Sequence, residues 1–190
     1  MKTSLVTTFL ACLIAVATLQ STAQEKNQSF VSLQAGTGIP SGLYADFAAT
    51  GFGFTLDAKK FVVKRLALGG QVGYFTMAGL IPASDDSTEK SLNHHLIPVM
   101  GTLGYYFGSE KFLTGGVLAI GFTRYEVTKT VKGETISTSA FKSCITPHIQ
   151  SLVRITPRLS LAVSGSYYIF FGDIVDFKYF GLTAGVAWKL

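Results

Sequence analysis

Cysteine is almost absent: only Cys12 and Cys144 occur in 190 residues. Cys12 falls in an N-terminal apolar run that reads as a removable leader, so the mature chain keeps one cysteine. A secreted scaffold stapled by internal disulfides needs at least two, and that class is excluded. Charge is scarce as well. Asp, Glu, Lys and Arg make up 14% of the chain, against about a quarter in an average soluble protein. Much of the surface therefore need not face water. The sixteen Lys and Arg outnumber the eleven Asp and Glu, but they are scattered in runs of at most two. No basic stripe suited to nucleic acid results. After residue 23 no apolar stretch reaches the roughly 20 residues that a spanning helix needs. Gly-rich phosphate loops, zinc spacings and nucleophile elbows are missing too.

What the chain does have is aromatics, 13% of all residues, with fifteen Phe and eight Tyr. It also has a distinctive N-terminus. Lys2 precedes an apolar run from Leu5 to Leu19, and the small residues Ser21 and Ala23 stand at −3 and −1 of a cut before Gln24. This is the layout of a cleavable secretory signal peptide over residues 1–23, leaving one domain over 24–190. A lipoprotein cysteine belongs at the end of the apolar run, and Cys12 sits inside it. Only helices and closed barrels satisfy their backbone hydrogen bonds in lipid. With spanning helices excluded, the barrel is the membrane option that remains.

Period-two alternation supports it, in eight segments. In residues 159–171, Leu159, Leu161, Val163, Gly165, Tyr167, Ile169 and Phe171 share one face; Ser160, Ala162, Ser164, Ser166, Tyr168 and Phe170 share the other. Residues 141–153 set Phe141, Ile145, Ile149 and Val153 against Lys142, Cys144, Thr146, His148 and Gln150. Shorter alternations run over 30–38, 51–59, 66–75 and 179–190. The segments 92–107 and 112–128 are partly apolar on both faces, and alternation does not assign their sides. The large apolar set suits lipid, while the small and polar set fits the narrow lumen of an eight-stranded barrel. Tyr74, Phe75, Tyr105, Tyr106, Phe107, Phe112, Tyr125, Tyr179 and Phe180 cluster near strand ends, as in interfacial aromatic girdles.

Connections alternate in length. Residues 62–65, 108–111 and 156–158 make tight turns. Residues 39–50, 78–91, 129–136 and 172–178 make longer polar loops. The expectation is an all-β, eight-stranded antiparallel up-and-down barrel, with short turns in the periplasm and long loops outside.

The last eight residues carry a further pattern: Thr183, Gly185, Trp188 and Leu190 match the C-terminal sorting signal of outer-membrane barrels, with Leu190 where that signal most often has Phe. Over nearly its whole mature length the chain resembles the small barrels of the OmpA, OmpX and OmpW type. The "GTGIPSG" after the first strand and "LIPV…GYYFG" in the fourth resemble the Bacteroidetes branch of that group. The resemblance implies residence in the bacterial outer membrane, contact with its lipid and lipopolysaccharide, and recognition of the last strand by a barrel-assembly machine. It implies function less sharply, because such barrels serve as adhesins, anchors, narrow channels and enzymes.

Candidate chemistry is sparse. His94 and His95, with Asp85, Asp86, Ser87 and Glu89, read as a solvated outer loop, since no His–Ser–acid spacing of a lipid-modifying hydrolase is present. Adjacent carboxylates in such a loop are a weak cation site. His148 reads as a lumen hydrogen-bonding residue. Asp57, Lys59, Lys142 and Lys189 are expected to point inward, and burial demands a cationic partner for Asp57. No catalytic, cofactor or metal residue is assigned and no cofactor is expected. The sequence reads as a non-enzymatic barrel with a structural or surface-interaction role and a filled polar lumen. The alternatives are a narrow OmpW-like channel for small hydrophobic solutes and, third, a lipid A-modifying enzyme.

Overall fold

In the computed structural model, residues 28–80, 89–131, 134–172 and 177–190 are described. Eight strands follow one another: β1 (Ser29–Ser41), β2 (Gly51–Phe61), β3 (Leu66–Ala78), β4 (Glu89–Gly108), β5 (Phe112–Val131), β6 (Glu134–Arg154), β7 (Leu159–Phe171) and β8 (Lys178–Lys189). A short 3-10 helix, Gly42–Asp46, lies between β1 and β2. Each strand pairs antiparallel with its neighbour, and β8 returns to β1, with Trp188 opposite Val31 and Leu182 opposite Thr37. Closure removes the sheet edges that lipid would leave unpaired. The expected architecture is therefore the one formed. Residues 1–23, expected to be a leader, lie outside the described residues.

Alternation assigns the two faces. Leu33, Phe52, Phe54, Leu68, Val99, Ile120, Phe122, Ile149, Leu161, Leu182 and Trp188 point outward and are exposed. They form the belt that a bilayer covers. On β5 the belt ends beyond Phe122, where Arg124 and Glu126 form an outward ion pair at 3.0 Å. Ser32, Gln34, Thr55, Asp57, Lys59, Gln71, Thr146, His148, Gln150 and Ser164 point inward and are buried. The faces that alternation leaves open in 92–107 and 112–128 resolve the same way. Val99, Leu103, Tyr105, Leu118 and Ile120 face out; Leu96, Met100, Tyr106, Leu113 and Val117 face in.

Two expectations are corrected. Four of the strand-end aromatics, Phe75, Tyr106, Tyr125 and Tyr179, have the inward parity. Phe75, Tyr106 and Tyr179 are fully buried, and Tyr125 packs against the interior cluster. The lumen holds large rings as well as small polar groups, and glycines make the room. A Cβ at Gly115 would stand 2.5 Å from the Tyr106 ring, and one at Gly53 would stand 2.3 Å from that of Phe75.

The second correction concerns residues 129–136. They are not a loop. β5 and β6 stay paired to Val131 opposite Glu134, so only residues 132–133 connect them. From Glu134 to Ile136 both faces are exposed, which erases the alternation that marks the strands below.

Candidate functional site

The interior is layered. At the short-turn end, Phe30, Phe61, Tyr106, Leu113, Val117 and Leu152 form an apolar cluster. Phe61 lies edge-on to Phe30 at 5.9 Å and to Tyr106 at 5.3 Å between ring centroids. At the loop end, Phe75, Met77, Leu96, Tyr168, Phe170 and Tyr179 belong to a second cluster, with Tyr168 stacked on Tyr179 at 4.2 Å.

Between the clusters lies a polar layer built around Lys59. Its ammonium lies 2.7 Å from Asp57 Oδ2 and donates to Tyr106 Oη at 2.7 Å and to Gln150 Oε1 at 2.6 Å. An ammonium has three donors, and all three are used. Tyr106 in turn donates to Gln150 Oε1 at 2.8 Å. Asp57 thus has the cationic partner that its burial demands, on the same strand and facing the same way. Across the lumen, Gln34 Oε1 accepts from Ser164 Oγ at 2.9 Å and Thr183 Oγ1 at 3.1 Å. His148 is inward and buried as the sequence suggests, but its Nδ1 has no partner, and neither has Asp57 Oδ1. Lys142, also inward, lies over the Phe177 ring at 4.4 Å. Lys189 has the same parity at the short-turn end and is half-buried.

The loop end is stoppered by the segment after β1. Tyr44 of the short helix is fully buried. Its ring stands edge-on to Phe177 at 4.8 Å and to His94 at 5.6 Å. The segment is pinned to the rim by Ala49 N–H donating to Ala78 O at 2.7 Å and Leu80 N–H donating to Phe47 O at 2.8 Å. His94 Nδ1 and Tyr125 Oη are 2.5 Å apart. Both lie beyond the Phe122 level, outside the lipid belt. Burial lowers the His94 pKa, with neighbouring His95 adding to the effect and a nearby Phe47 carbonyl opposing it. Burial pushes the Tyr125 hydroxyl up to about 12.

This corrects the reading of the His pair as part of a solvated loop. Both residues are on β4. His94 is buried in the mouth, while His95 faces outward and contacts Tyr74 Oη at 2.8 Å. Asp85, Asp86 and Ser87 lie outside the described residues, as does the side chain of Glu89. Among the described residues, no group of three or more His, Cys, Asp or Glu is placed to hold a metal ion.

Above the belt, β4, β5 and β6 are the strands that continue among the described residues. β7 ends at Phe171, opposite Ser143. Among the described residues, Glu134–Lys142 of β6 pair with β5 on one side and with nothing on the other. From Phe122 to Val131, β5 adds nine residues, or roughly 30 Å of strand at ~3.3 Å each. Both faces of this stretch of β6 are open to water from Glu134 to Phe141. The free edge holds no proline, and its interior carries no charge between Glu134 and Lys142. Charges, prolines and bulges are the usual guards of an exposed edge.

The fold is that of the small outer-membrane β-barrels. Neisserial surface protein A aligns with a TM-score of 0.62 at 14% identity, covering 85% of this chain and 97% of that one. Ail, the attachment invasion locus protein of Yersinia pestis, aligns with a TM-score of 0.60 at 13% identity, covering 87% and 100%. OprG from Pseudomonas aeruginosa aligns with a TM-score of 0.63 at 9% identity, covering 90% and 99%. No protein-family model matches the sequence, and no curated protein matches it significantly. The likeness is one of architecture. With the apolar belt, it makes the chain an integral outer-membrane barrel.

Proposed function

We propose that this barrel is a non-enzymatic surface-interaction protein. Its projecting β4–β5–β6 sheet offers the free edge of β6 to an extended strand of a partner protein. The observation that carries the reading is the edge Glu134–Lys142, which has no strand partner on its β7 side among the described residues. Such an edge presents a row of backbone donors and acceptors, and strand addition uses them directly. Thr135, Ile136 and Thr138 are β-branched and favour the extended backbone.

Orientation follows the rule for such barrels. Three tight turns face the periplasm, and the long connections and projecting sheet face outward. Residues 1–23 act as the cleaved leader, and β8 is the strand that the assembly machinery reads. The name of one architectural neighbour refers to attachment and invasion, and a structure of it holds a heparin analogue; both agree with a surface role. The channel reading loses support from the apolar clusters at both ends of the lumen.

The test is adhesion of expressing cells to immobilised matrix proteins. One variant has residues 127–138 replaced by a tight turn, which removes most of the projecting β5–β6 hairpin and keeps Tyr125 in the mouth. Surface abundance is matched by antibody. Adhesion should fall to the level of cells without the protein. Undiminished adhesion by the shortened variant would overturn the reading.

A further inference from the structure

The outer wall of the barrel carries a groove of about 650 Å³ in the part that faces lipid. Two rows of outward residues define it. Tyr105, Gly116, Ile149 and Gly165 stand opposite one another on β4 to β7. Leu103, Leu118, Pro147, Tyr167 and Phe180 make the neighbouring row on β4 to β8. The two glycines lower the wall where the surrounding belt is bulky. A Cβ at Gly116 would meet nothing within 4 Å, and at Gly165 the nearest atom would be 3.6 Å away. Neither glycine is required by packing.

From β4 to β8 the groove crosses four strand spacings, about 19 Å at ~4.8 Å each. It climbs as it goes. Gly116 is four residues from the short-turn end of β5, whereas Phe180 is two residues from the loop end of β8. A leaflet is half of the roughly 30 Å hydrocarbon core, so the lower part of the trough, over Gly116 and Gly165, lies in the leaflet nearer the short turns and suits one chain.

The low end has a charge. Leu66 lines the groove, and Arg65 precedes it in the turn after β2. Arg65 Nη1 donates to Tyr105 Oη at 3.3 Å, which holds the guanidinium beside the groove mouth. Lys64 is exposed next to it. An arginine with free donors recognises phosphate oxygens well.

We infer that this groove binds one glycerophospholipid of the leaflet nearer the short turns. One acyl chain lies over Gly116 and Gly165, and the phosphate lies on Arg65. The groove is continuous with the bilayer-covered belt, so its occupant is drawn from the membrane. The cationic end selects an anionic headgroup.

The test uses the refolded full barrel in bicelles containing phosphatidylglycerol with a photoreactive acyl chain, and adducts are mapped by mass spectrometry. Gly116→Leu with Gly165→Leu fills the trough, and Arg65→Gln removes the charge. Heat-modifiable migration in SDS confirms folding of each variant. Adducts should concentrate on Leu103, Leu118, Ile149 and Pro147 in the wild type. They should drop several-fold both in the filled variant and in Arg65→Gln. Even labelling around the whole belt, unchanged in both variants, would overturn the site. Adducts lost on filling but kept in Arg65→Gln would overturn the headgroup assignment. Crosslinks between two barrels through this wall would show that a second copy occupies it instead, and would equally overturn the proposal.

Discussion

Replacing Lys59 by methionine keeps an unbranched side chain one atom shorter and removes its charge. The structure sets the cost. Three hydrogen-bonded contacts disappear, to Asp57, Tyr106 and Gln150. Asp57 is then a buried carboxylate whose Oδ1 already lacks a partner. Its one remaining contact is the long 3.5 Å bond from Gln150 Nε2. Breaking a buried pair from one side costs about 3–5 kcal/mol. Neutralising both ends at once leaves no orphaned charge, and Asp57→Asn with Lys59→Met should cost less than about 1.5 kcal/mol. Tyr106 and Gln150 retain their mutual bond at 2.8 Å in both cases. The assay is reversible unfolding in guanidinium with lipid vesicles, followed by the fluorescence of Trp188, the only tryptophan, which faces lipid. A Lys59→Met cost below about 1 kcal/mol, or a double variant as unstable as the single one, would refute the tightly held lumen pair.

Planar-bilayer recordings of the wild type should show no steady conductance. Phe61→Ala with Tyr44→Ala, which thins both apolar clusters, should produce openings. The stopper should loosen in acid. The His94 pKa is lowered in the folded protein, so the unfolded chain binds the extra proton first, and stability is lost as pH falls below about 6.5, the ordinary histidine value. Protease cleavage within residues 42–50 should therefore rise between pH 7.5 and pH 5, with no such rise in His94→Phe; equal pH dependence in that variant would sink the assignment. Deleting Trp188 to Leu190 removes the pairings of Trp188 with Val31 and Leu159 and of Lys189 with Phe30. The truncated barrel should be depleted from the outer membrane, as membrane fractionation and immunoblotting would show.

Strand number, closure and the lipid-facing set were legible in the sequence because one face of each strand meets hydrocarbon. That solvent enforces a period of two. Two features escaped where the enforcement lapses. At residues 134–136 water lies on both faces, so the polar run that starts at Lys129 reads as a loop in the sequence although Lys129, Thr130 and Thr135 are paired. Inside the lumen, Phe75, Tyr106, Tyr125 and Tyr179 share with girdle residues a position near strand ends and differ from them only in parity. Parity decides, and the facing glycines at 53 and 115 were the available signal for two of them. His94 was legible as a candidate but not as a buried one. Its burial comes from Tyr44 and Tyr125, which are far from it in sequence and meet it only when the mouth closes. The groove over Gly116 and Gly165 needs the register of three strands before the two glycines can be placed near each other.

The bonds of Lys59 join β2, β4 and β6, which are not neighbours in the sheet. Neighbouring strands can zip in sequence order, but this tie spans the lumen and forms only when the sheet has curled enough to bring its separated strands face to face. It is therefore absent from an open, partly zipped sheet. Interactions missing from the transition state act on escape rather than on arrival. The lumen pair should accordingly lengthen the lifetime of the closed barrel in the membrane while leaving the speed of its insertion almost untouched.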